Sequence, residues 1–493
     1  MSSKAAVAAP GRLASGQLGV PTVMFFVLSA ATPLTVVAGV VTNGWAVTGL
    51  AGIPIAFLAV GAVLMIFSIG YVAMARQVAN AGAFYAYVAR GLGRPAGVGA
   101  SWVALAAYNS LQVGLYGAIG AAAVPVLRWV EIDLPWWTVA LVACAVVGVL
   151  GQLHVDVNGK VLAVLLALEV AVILVYSVGS LTHPAGDVVT VETLDPASLF
   201  APGVGALLSI AVLGFVGFEA TVVFSEETRD PHRTVRIATY LSVALLGGVY
   251  ALASWAMSVA TGPDHIVDQS RALSTELIFR LAGSHLGMTI VHIGQALFLT
   301  SVIAAMIAFH NTSARYAYAL GRERVLPAFL GRTSARTSAP KYGSLVQTVV
   351  GFLVIITFAV AGWDPLVHLF YWGGALGALG VLALIATTSV AIVVFFASNP
   401  RDEPVWRRVV APTLAVLATG TVFGLALGNF DILLGVDPDS PWRWGLPAAL
   451  GGLAIAGIAW GFVLRRIRPK VYATIGFGAR SIAARSGVEG ARP

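Results

Sequence analysis

Long apolar segments separated by short polar ones form the main pattern of the chain. Twelve of them approach or exceed the roughly 20 helical residues needed to cross the hydrocarbon core of a bilayer. We number them spans 1 to 12, and they cover approximately residues 20–43, 50–74, 96–127, 136–152, 160–181, 203–225, 235–261, 284–312, 343–362, 366–397, 409–428 and 444–464. A helix pairs its own backbone groups, as hydrocarbon requires. The pattern therefore predicts an all-α integral membrane protein with twelve transmembrane helices.

Span 6 is interrupted by residues that a simple membrane helix does not favour. Gly214, Gly217 and the ionisable Glu219 lie within its apolar sequence. Glycine allows a helix to open, and an opened helix at membrane depth is stable only where it is buried in protein or lines a cavity. We therefore expect span 6 to be discontinuous and to border a functional cavity.

Span 1 has its own interruption, Ser29-Ala30-Ala31-Thr32-Pro33. Proline removes a backbone donor and clashes with the preceding turn, so this helix should kink or break. Two breaks five helices apart are what a five-plus-five inverted repeat of spans 1–5 and 6–10 would produce. Freed amides and carbonyls at half-helix ends attract anionic and cationic groups, which suits a small charged solute. The alternative is a pair of ordinary structural kinks.

The basic residues indicate how the chain is oriented. All but four of the 29 lysines and arginines fall on one side of the twelve-span map, and the exceptions are Arg128, Arg271, Arg280 and Arg443. By the positive-inside rule, both termini are cytoplasmic in a multi-pass protein of the cytoplasmic membrane. Residues 1–18 form a cytoplasmic lead without a secretory signal, and residues 466–493 form a basic tail, either solvated or touching anionic lipid. The net charge of +7 needs no nucleic acid partner.

Composition argues against the other classes of function. With 58% hydrophobic and 10% charged residues, the chain is too apolar for a soluble protein. The lone Cys144 permits no disulfide framework, and the histidines lack metal-ligand spacing. We expect no enzyme activity, cofactor or metal. A membrane enzyme or a channel remains a distant alternative, because the polar groups gather at the two breaks rather than along a continuous pore.

Three motifs resemble those of the amino acid-polyamine-organocation (APC) superfamily. They are Gly214-Phe215-Val216-Gly217-Phe218-Glu219 followed by residues 226–233, Asn80-Ala81-Gly82-Ala83-Phe84-Tyr85-Ala86-Tyr87, and Asn311-Thr312-Ser313-Ala314-Arg315 followed by residues 321–327. The resemblance covers about residues 15–465. It implies a transport core over residues 19–397 and two added helices over residues 398–465. It also implies secondary active transport of an amino acid or related amine by alternating access.

The resemblance also implies where the substrate binds. In this family the exposed backbone of spans 1 and 6 holds the substrate, which here corresponds to Ala31, Thr32, Pro33, Phe215, Val216, Gly217 and Phe218. Phe215 or Phe218 would serve as an aromatic gate or a cation–π surface, with packing as the alternative. Asn109 would line the cavity or bridge helices.

One departure from the family affects the expected substrate. Ala31-Thr32-Pro33 replaces the usual glycine-serine-glycine run. Pro33 cannot donate a hydrogen bond, so an amine or polyamine carrier is an alternative to an amino acid permease.

Glu169 stands where many proton-coupled relatives have a lysine and others hold sodium. It lies nine residues after Lys160, about 13 Å into the membrane, where an ionised carboxylate is costly. We predict that it carries the coupling proton or contacts a cationic substrate. The alternative is a protonated, structural carboxyl.

Glu219 matches a family glutamate linked to proton sensing or to hydrogen bonds within the bundle, and both roles stay open. Thr300 and Ser301 provide hydroxyls for a sodium site or for helix bridging. We favour proton-driven uptake over sodium coupling or substrate exchange. We expect a monomer or a homodimer in membrane lipid.

Overall fold

A computed structural model describes residues 18–481 except 79–81, 153–154, 335, 399, 401–402 and 479–480; for residues 155–162 and 226 it describes only the backbone. Nearly all of the predicted N-terminal lead, Asn80 and Ala81 of the second motif, and residues 482–493 of the tail lie outside the described residues. The Lys160 and Glu226 side chains also lie outside them.

Apolar helices follow the predicted order along the chain, and we number them α1 to α12. Their bounds are α1a Val20–Ala31 and α1b 33–48, α2 Ile53–Gln77, α3 Arg94–Arg128, α4 Trp136–Leu150, α5 Val155–Leu181, α6a Val204–Phe215 and α6b Ala220–Val223, α7 Pro231–Thr261, α8 Met288–Arg322, α9 Lys341–Ala361, α10 365–398, α11 406–428 and α12 Trp442–Ile467. In the described part of the chain, eleven spans are long and apolar enough to cross a membrane, and the 15-residue α4 is shorter. The all-α membrane class is confirmed. The count of twelve and the inverted repeat stay predictions.

The break in α1 occurs where the proline predicts it. α1a ends at Ala31, and Thr32 takes a left-handed conformation with φ 40° and ψ 73°. α1b begins at Pro33, whose fixed φ suits the first position of a helix and whose missing N–H is no loss there. Span 1 is therefore discontinuous, as predicted.

The break in α6 depends on glycine. α6a ends at Phe215, Val216 turns to ψ 130°, and Gly217 has φ 114°, a backbone conformation that residues with a Cβ rarely adopt. A Cβ on Gly217 would also lie 2.9 Å from the Cβ of Ala30. Both predicted breaks are present, and they contact each other.

One end of the helix bundle, which holds Glu227 and is predicted to be cytoplasmic, is closed. We call it the Glu227 end. Leu18 pairs with the segment after α6b, where its N–H donates to the Glu227 carbonyl at 3.1 Å and its carbonyl accepts from the Arg229 N–H at 3.0 Å. Arg315 of α8 forms an ion pair with the Glu227 carboxylate at 2.9 Å, and both side chains are at most 4% exposed. The N-terminal segment and α8 therefore hold the chain after α6 in place.

The segment after α12 is packed rather than solvated. It forms a short helix, Pro469–Tyr472, followed by a turn in which Ile475 is 1% exposed. The expectation of a solvated tail does not hold for these residues.

Candidate functional site

A cavity of about 50 Å³ lies between the two breaks. It is lined by Ala30, Ala31, Thr32, Thr35, Val36 and Val40 of α1, Leu111 and Leu115 of α3, Leu213 of α6a, Val216 of the α6 break, Phe309 of α8, and Phe370 and Gly374 of α10. Ligand pockets for small molecules are usually several hundred Å³. We call this space the central cavity, and in this conformation the helices have closed around it.

Three of the predicted substrate-binding residues, Ala31, Thr32 and Val216, line the central cavity. Pro33 and Gly217 lie in the breaks but are not among the lining residues. Asn109 is not among them either, and its side-chain amide donates to the Leu105 carbonyl of its own helix at 2.8 Å.

The two predicted aromatic residues pack against other rings. Phe215 lies 6.2 Å from Phe57 and 6.1 Å from Tyr250, measured between ring centroids. Phe218 meets the Phe67 ring edge to face at 6.1 Å. The rings on the central cavity are instead Phe309 and Phe370, which the sequence reasoning missed.

Phe370 separates the central cavity from a second space of about 20 Å³ that lies between α1b, α6a and α10. Its ring contacts the backbone of α1b, because a Cβ on Gly39 would lie 3.1 Å from the Phe370 Cε1 atom. The Phe370 ring thus closes one side of the central cavity.

The carbonyl freed at the end of α1a has a specific partner. The Tyr250 hydroxyl of α7 donates to the Ala31 carbonyl at 2.9 Å, and Tyr250 is fully buried. Carbonyls at a helix end need partners when they are buried. The Ala31 carbonyl therefore already has a hydrogen-bond donor in this conformation, although the sequence predicts that it is free for a substrate.

Glu169 is connected to the central cavity through hydroxyl groups. The Thr35 hydroxyl donates to the Ser301 hydroxyl at 3.0 Å, and Ser301 donates to the Glu169 carboxylate at 2.8 Å. Thr35 lines the cavity, whereas Glu169 is only 2% exposed. A buried carboxyl group therefore lies two hydrogen bonds away from the Thr35 hydroxyl, which belongs to α1b and lines the central cavity.

Glu169 contacts a hydroxyl group rather than a cation in the described part of the structure. Among the described residues, no lysine or arginine forms an ion pair with it. A hydrogen bond from the Ser301 hydroxyl favours the ionised carboxylate, whereas burial disfavours it. Of the two hydroxyls first considered for sodium, only Ser301 takes part, because Thr300 donates to the Leu297 carbonyl of its own helix.

Glu219 holds the α6 break in place. One carboxylate oxygen accepts from the Tyr108 hydroxyl at 2.6 Å, and the other accepts from the Gly217 N–H at 2.9 Å. Its own carbonyl accepts from the Tyr71 hydroxyl at 3.1 Å. Glu219 is fully buried and is not among the residues lining the central cavity. These contacts join α6 to α2 and α3.

A larger cavity of about 400 Å³ lies at the opposite end, between α3, α9, α10 and α12. Its lining is mainly aromatic and aliphatic, with Phe358, Trp363, Trp372 and Trp442 among its residues and no carboxylate, guanidinium or ammonium group. It does not touch the breaks. The smaller central cavity borders both breaks, where backbone groups leave the helical hydrogen-bond pattern, and it is therefore the candidate site for a charged solute.

Known proteins with similar sequences agree with this geometry. The sequence profile of the amino acid permease family matches residues 18–452. A cationic amino acid transporter of Arabidopsis thaliana, number 7 and chloroplastic, is 27% identical over 61% of this chain and 48% of its own length. The human cationic amino acid transporter 4 is 27% identical over 42% of this chain and 31% of its own length.

A bacterial relative is matched over a larger share of its own length. An uncharacterised amino acid permease of Bacillus subtilis, YecA, is 25% identical over 56% of this chain and 63% of its own length. The aligned part thus spans about half or less of the two cationic amino acid transporters and just under two thirds of YecA. The family profile nevertheless covers both breaks, the central cavity and Glu169. The chain is a multi-pass membrane protein and belongs to the amino acid permease family, within the APC superfamily whose motifs it carries.

Proposed function

We propose that this protein is a secondary transporter that moves an amino acid or related amine through the central cavity, driven by a proton that Glu169 binds and releases. The observation that carries the proposal is the hydrogen-bond chain from Thr35 through Ser301 to Glu169. This chain of hydrogen bonds connects a buried carboxyl to the break where the backbone of α1 meets the cavity.

The helices that these hydrogen bonds join explain how proton binding would be coupled to substrate binding. Thr35 belongs to α1b, Ser301 to α8 and Glu169 to α5, so their hydrogen bonds form only when the three helices are close together. Protonating Glu169 removes its negative charge and weakens the hydrogen bond that the Ser301 hydroxyl donates to it. The proton therefore changes the contact between α1b and its neighbours, and substrate binding at the α1 break has access to the same contact.

Alternating access fits the closed state of the molecule. The central cavity is too small for an amino acid, and the Glu227 end is closed by Leu18 and by the Arg315–Glu227 ion pair. Transport would require these contacts to separate on one side, and Phe370 to move on the other. We infer that the Glu227 end faces the cytoplasm of a cell whose cytoplasmic membrane holds the protein.

A second candidate is a carrier for cationic amino acids or amines. Two relatives are named as cationic amino acid transporters, and the buried Glu169 carboxyl lies two hydrogen bonds from the Thr35 hydroxyl on the central cavity. In that case Glu169 would receive the positive charge of the substrate once the Thr35–Ser301 contact opens. Glu219 would keep a bracing role in both candidates, since the fold already uses both of its carboxylate oxygens.

Uptake into proteoliposomes tests the proposal. We expect an inward-directed proton gradient to drive uptake of an amino acid or an amine by the natural protein. Glu169→Gln should retain ligand-induced thermal stabilisation but lose the gradient-driven component, since an amide accepts the Ser301 hydrogen bond yet carries no exchangeable charge. Ser177→Ala is the matched control, because Ser177 is buried on the same helix and bonds only to the Ile173 carbonyl in the described structure.

The outcomes separate the candidates. Gradient-driven uptake by Glu169→Gln would disprove the coupling role. Loss of binding for cationic ligands alone, with neutral amino acids still bound, would favour the second candidate. If no amino acid or amine were bound or transported by the natural protein, the proposed function itself would be wrong.

A further inference from the structure

The segment that follows the short helix after α12 contains a glycine-phenylalanine-glycine turn, Gly476-Phe477-Gly478. Both glycines have positive φ, 81° and 59°, which turns the backbone sharply and directs their N–H groups to one side. Each N–H donates to one carboxylate oxygen of Glu323, and both distances are 2.7 Å. Glu323 directly follows α8 and is fully buried. We call residues 472–478 the tail latch.

The tail latch also contacts the loop between α2 and α3. This loop contains a helix, Phe84–Gly91, which we call the loop helix. The Arg90 guanidinium lies over the Phe477 ring, 4.4 Å from its centroid. Arg94, at the start of α3, donates to the Ala473 carbonyl at 3.0 Å. The latch thus joins the end of α8 to the loop helix and to α3.

The loop helix in turn contacts Tyr71, which hydrogen-bonds beside the α6 break. The Tyr87 and Phe84 rings lie 5.3 and 5.7 Å from the Tyr71 ring, between centroids. The Tyr71 hydroxyl donates to the Glu219 carbonyl beside the break. An unbroken series of contacts therefore runs from the latch to the residues that hold the break.

We propose that the tail latch is an intramolecular docking segment that holds the Glu227 end of the protein closed, and that its release permits this end to open. Arg315, which forms the ion pair with Glu227, lies on α8, and Glu323 directly follows the last residue of that helix. The tail latch and the ion pair therefore hold the same helix. Opening the Glu227 end separates α8 from the chain after α6, and this moves Glu323 relative to the loop helix. The latch resists that movement because it is bonded to both.

The buried carboxylate of Glu323 explains why a glycine-containing turn binds at this position. A buried carboxylate needs hydrogen-bond donors, and two converging backbone amides from a tight turn supply one to each of its oxygens. A Cβ on Gly476 would lie 3.3 Å from the Cβ of Ala89, so the turn also packs closely against the loop helix. A turn lacking glycine at these positions would be strained.

Hydrogen exchange in the full-length protein tests the proposal without any substrate, so its result is independent of the proposed transport activity. Phe477→Ala removes the ring under Arg90, and Glu323→Gln removes the charge that binds the two amides. In Glu323→Gln we expect exchange in the loop helix and in residues 224–229 to become faster by about tenfold or more, because a hydrogen bond to a charged group commonly contributes at least that factor. In Phe477→Ala we expect the same segments to exchange faster by about threefold or more, because this change removes the cation–π contact with Arg90. The control is Lys470→Ala, an exposed change in the adjoining short helix.

The proposal is tested by which segments show faster hydrogen exchange. Faster exchange confined to residues 471–481, with the loop helix and residues 224–229 unchanged, would overturn the proposal, because the segment would then only pack on the surface. Thermal unfolding shows whether each variant is folded before exchange is compared. If Glu323→Gln fails to fold, Phe477→Ala alone decides, because it leaves the buried carboxylate and its two amide partners in place.

Discussion

Removing Arg315 should open the Glu227 end of the protein. Its Nε donates to one carboxylate oxygen of Glu227 at 2.9 Å, and a terminal nitrogen reaches the other at 3.4 Å. The guanidinium also lies over the Phe224 ring, 4.9 Å from its centroid. Arg315→Ala leaves the Glu227 carboxylate buried without its cation, whereas opening exposes that carboxylate to water.

The size of the effect follows from this burial. Breaking a buried ion pair by removing one partner costs about 3–5 kcal/mol. The exposed fractions of the two side chains are 1% and 4%, so solvent screens the pair little. At about 1.4 kcal/mol per tenfold change, the ratio of closed to open molecules should fall by roughly a hundredfold or more. Replacing both residues, as in Glu227→Gln with Arg315→Met, should restore much of the closed state, because no unpaired charge remains.

Labelling of a cavity cysteine measures this ratio. Val216→Cys places a thiol on the central cavity, and Cys144→Ala removes the buried native thiol. A charged maleimide applied from the Glu227 side should label the Arg315→Ala variant at least about ten times faster than the parent, and the double replacement at close to the parent rate. An unchanged labelling rate in Arg315→Ala would refute the reasoning. Equal rates in the single and double variants would show that the unpaired charge is not the cause.

Two further predictions concern stability. Gly217→Ala should destabilise the protein by about 1–3 kcal/mol, because its φ is 114° and the added Cβ would meet Ala30; Gly248→Ala, where the added Cβ meets nothing within 4 Å, is the control in a thermal unfolding measurement. His183 and His285 stack with ring centroids 4.2 Å apart, and local burial and then His183 lower the pKa of His285. The folded state thus resists protonation there, so stability should decrease as the pH falls from about 6.5 through the lowered pKa, and His285→Gln should lessen this decrease in unfolding temperature. An unchanged decrease in His285→Gln would assign the acid sensitivity to other groups.

The breaks in α1 and α6 could be predicted because their causes are local. Pro33 lacks a backbone N–H, and Gly217 adopts a positive φ, and both properties belong to the residue itself. The formation of a membrane helix also depends on local properties, since each helix forms its backbone hydrogen bonds within its own segment. These features required no knowledge of neighbouring helices.

The faces of the helices could not be predicted in the same way. Phe215 and Phe218 adjoin the break in sequence, yet they pack against Phe57, Tyr250 and Phe67. The cavity rings come from α8 and α10. In a membrane protein both the lipid-facing and the buried faces are apolar, so hydrophobic periodicity gives little information about which face borders a cavity.

The sequence by itself determined the membrane class and the positions of the two breaks, because hydrophobic length, proline and glycine act within one segment. Only the tertiary structure decided the partners. Thr35 and Ser301 are 266 residues apart, Ser301 and Glu169 are 132 apart, and Glu323 and Gly476 are 153 apart. Such contacts depend on how the helices pack against one another. A buried hydroxyl or carboxyl group forms its hydrogen bond with the polar group that this packing brings within about 3 Å.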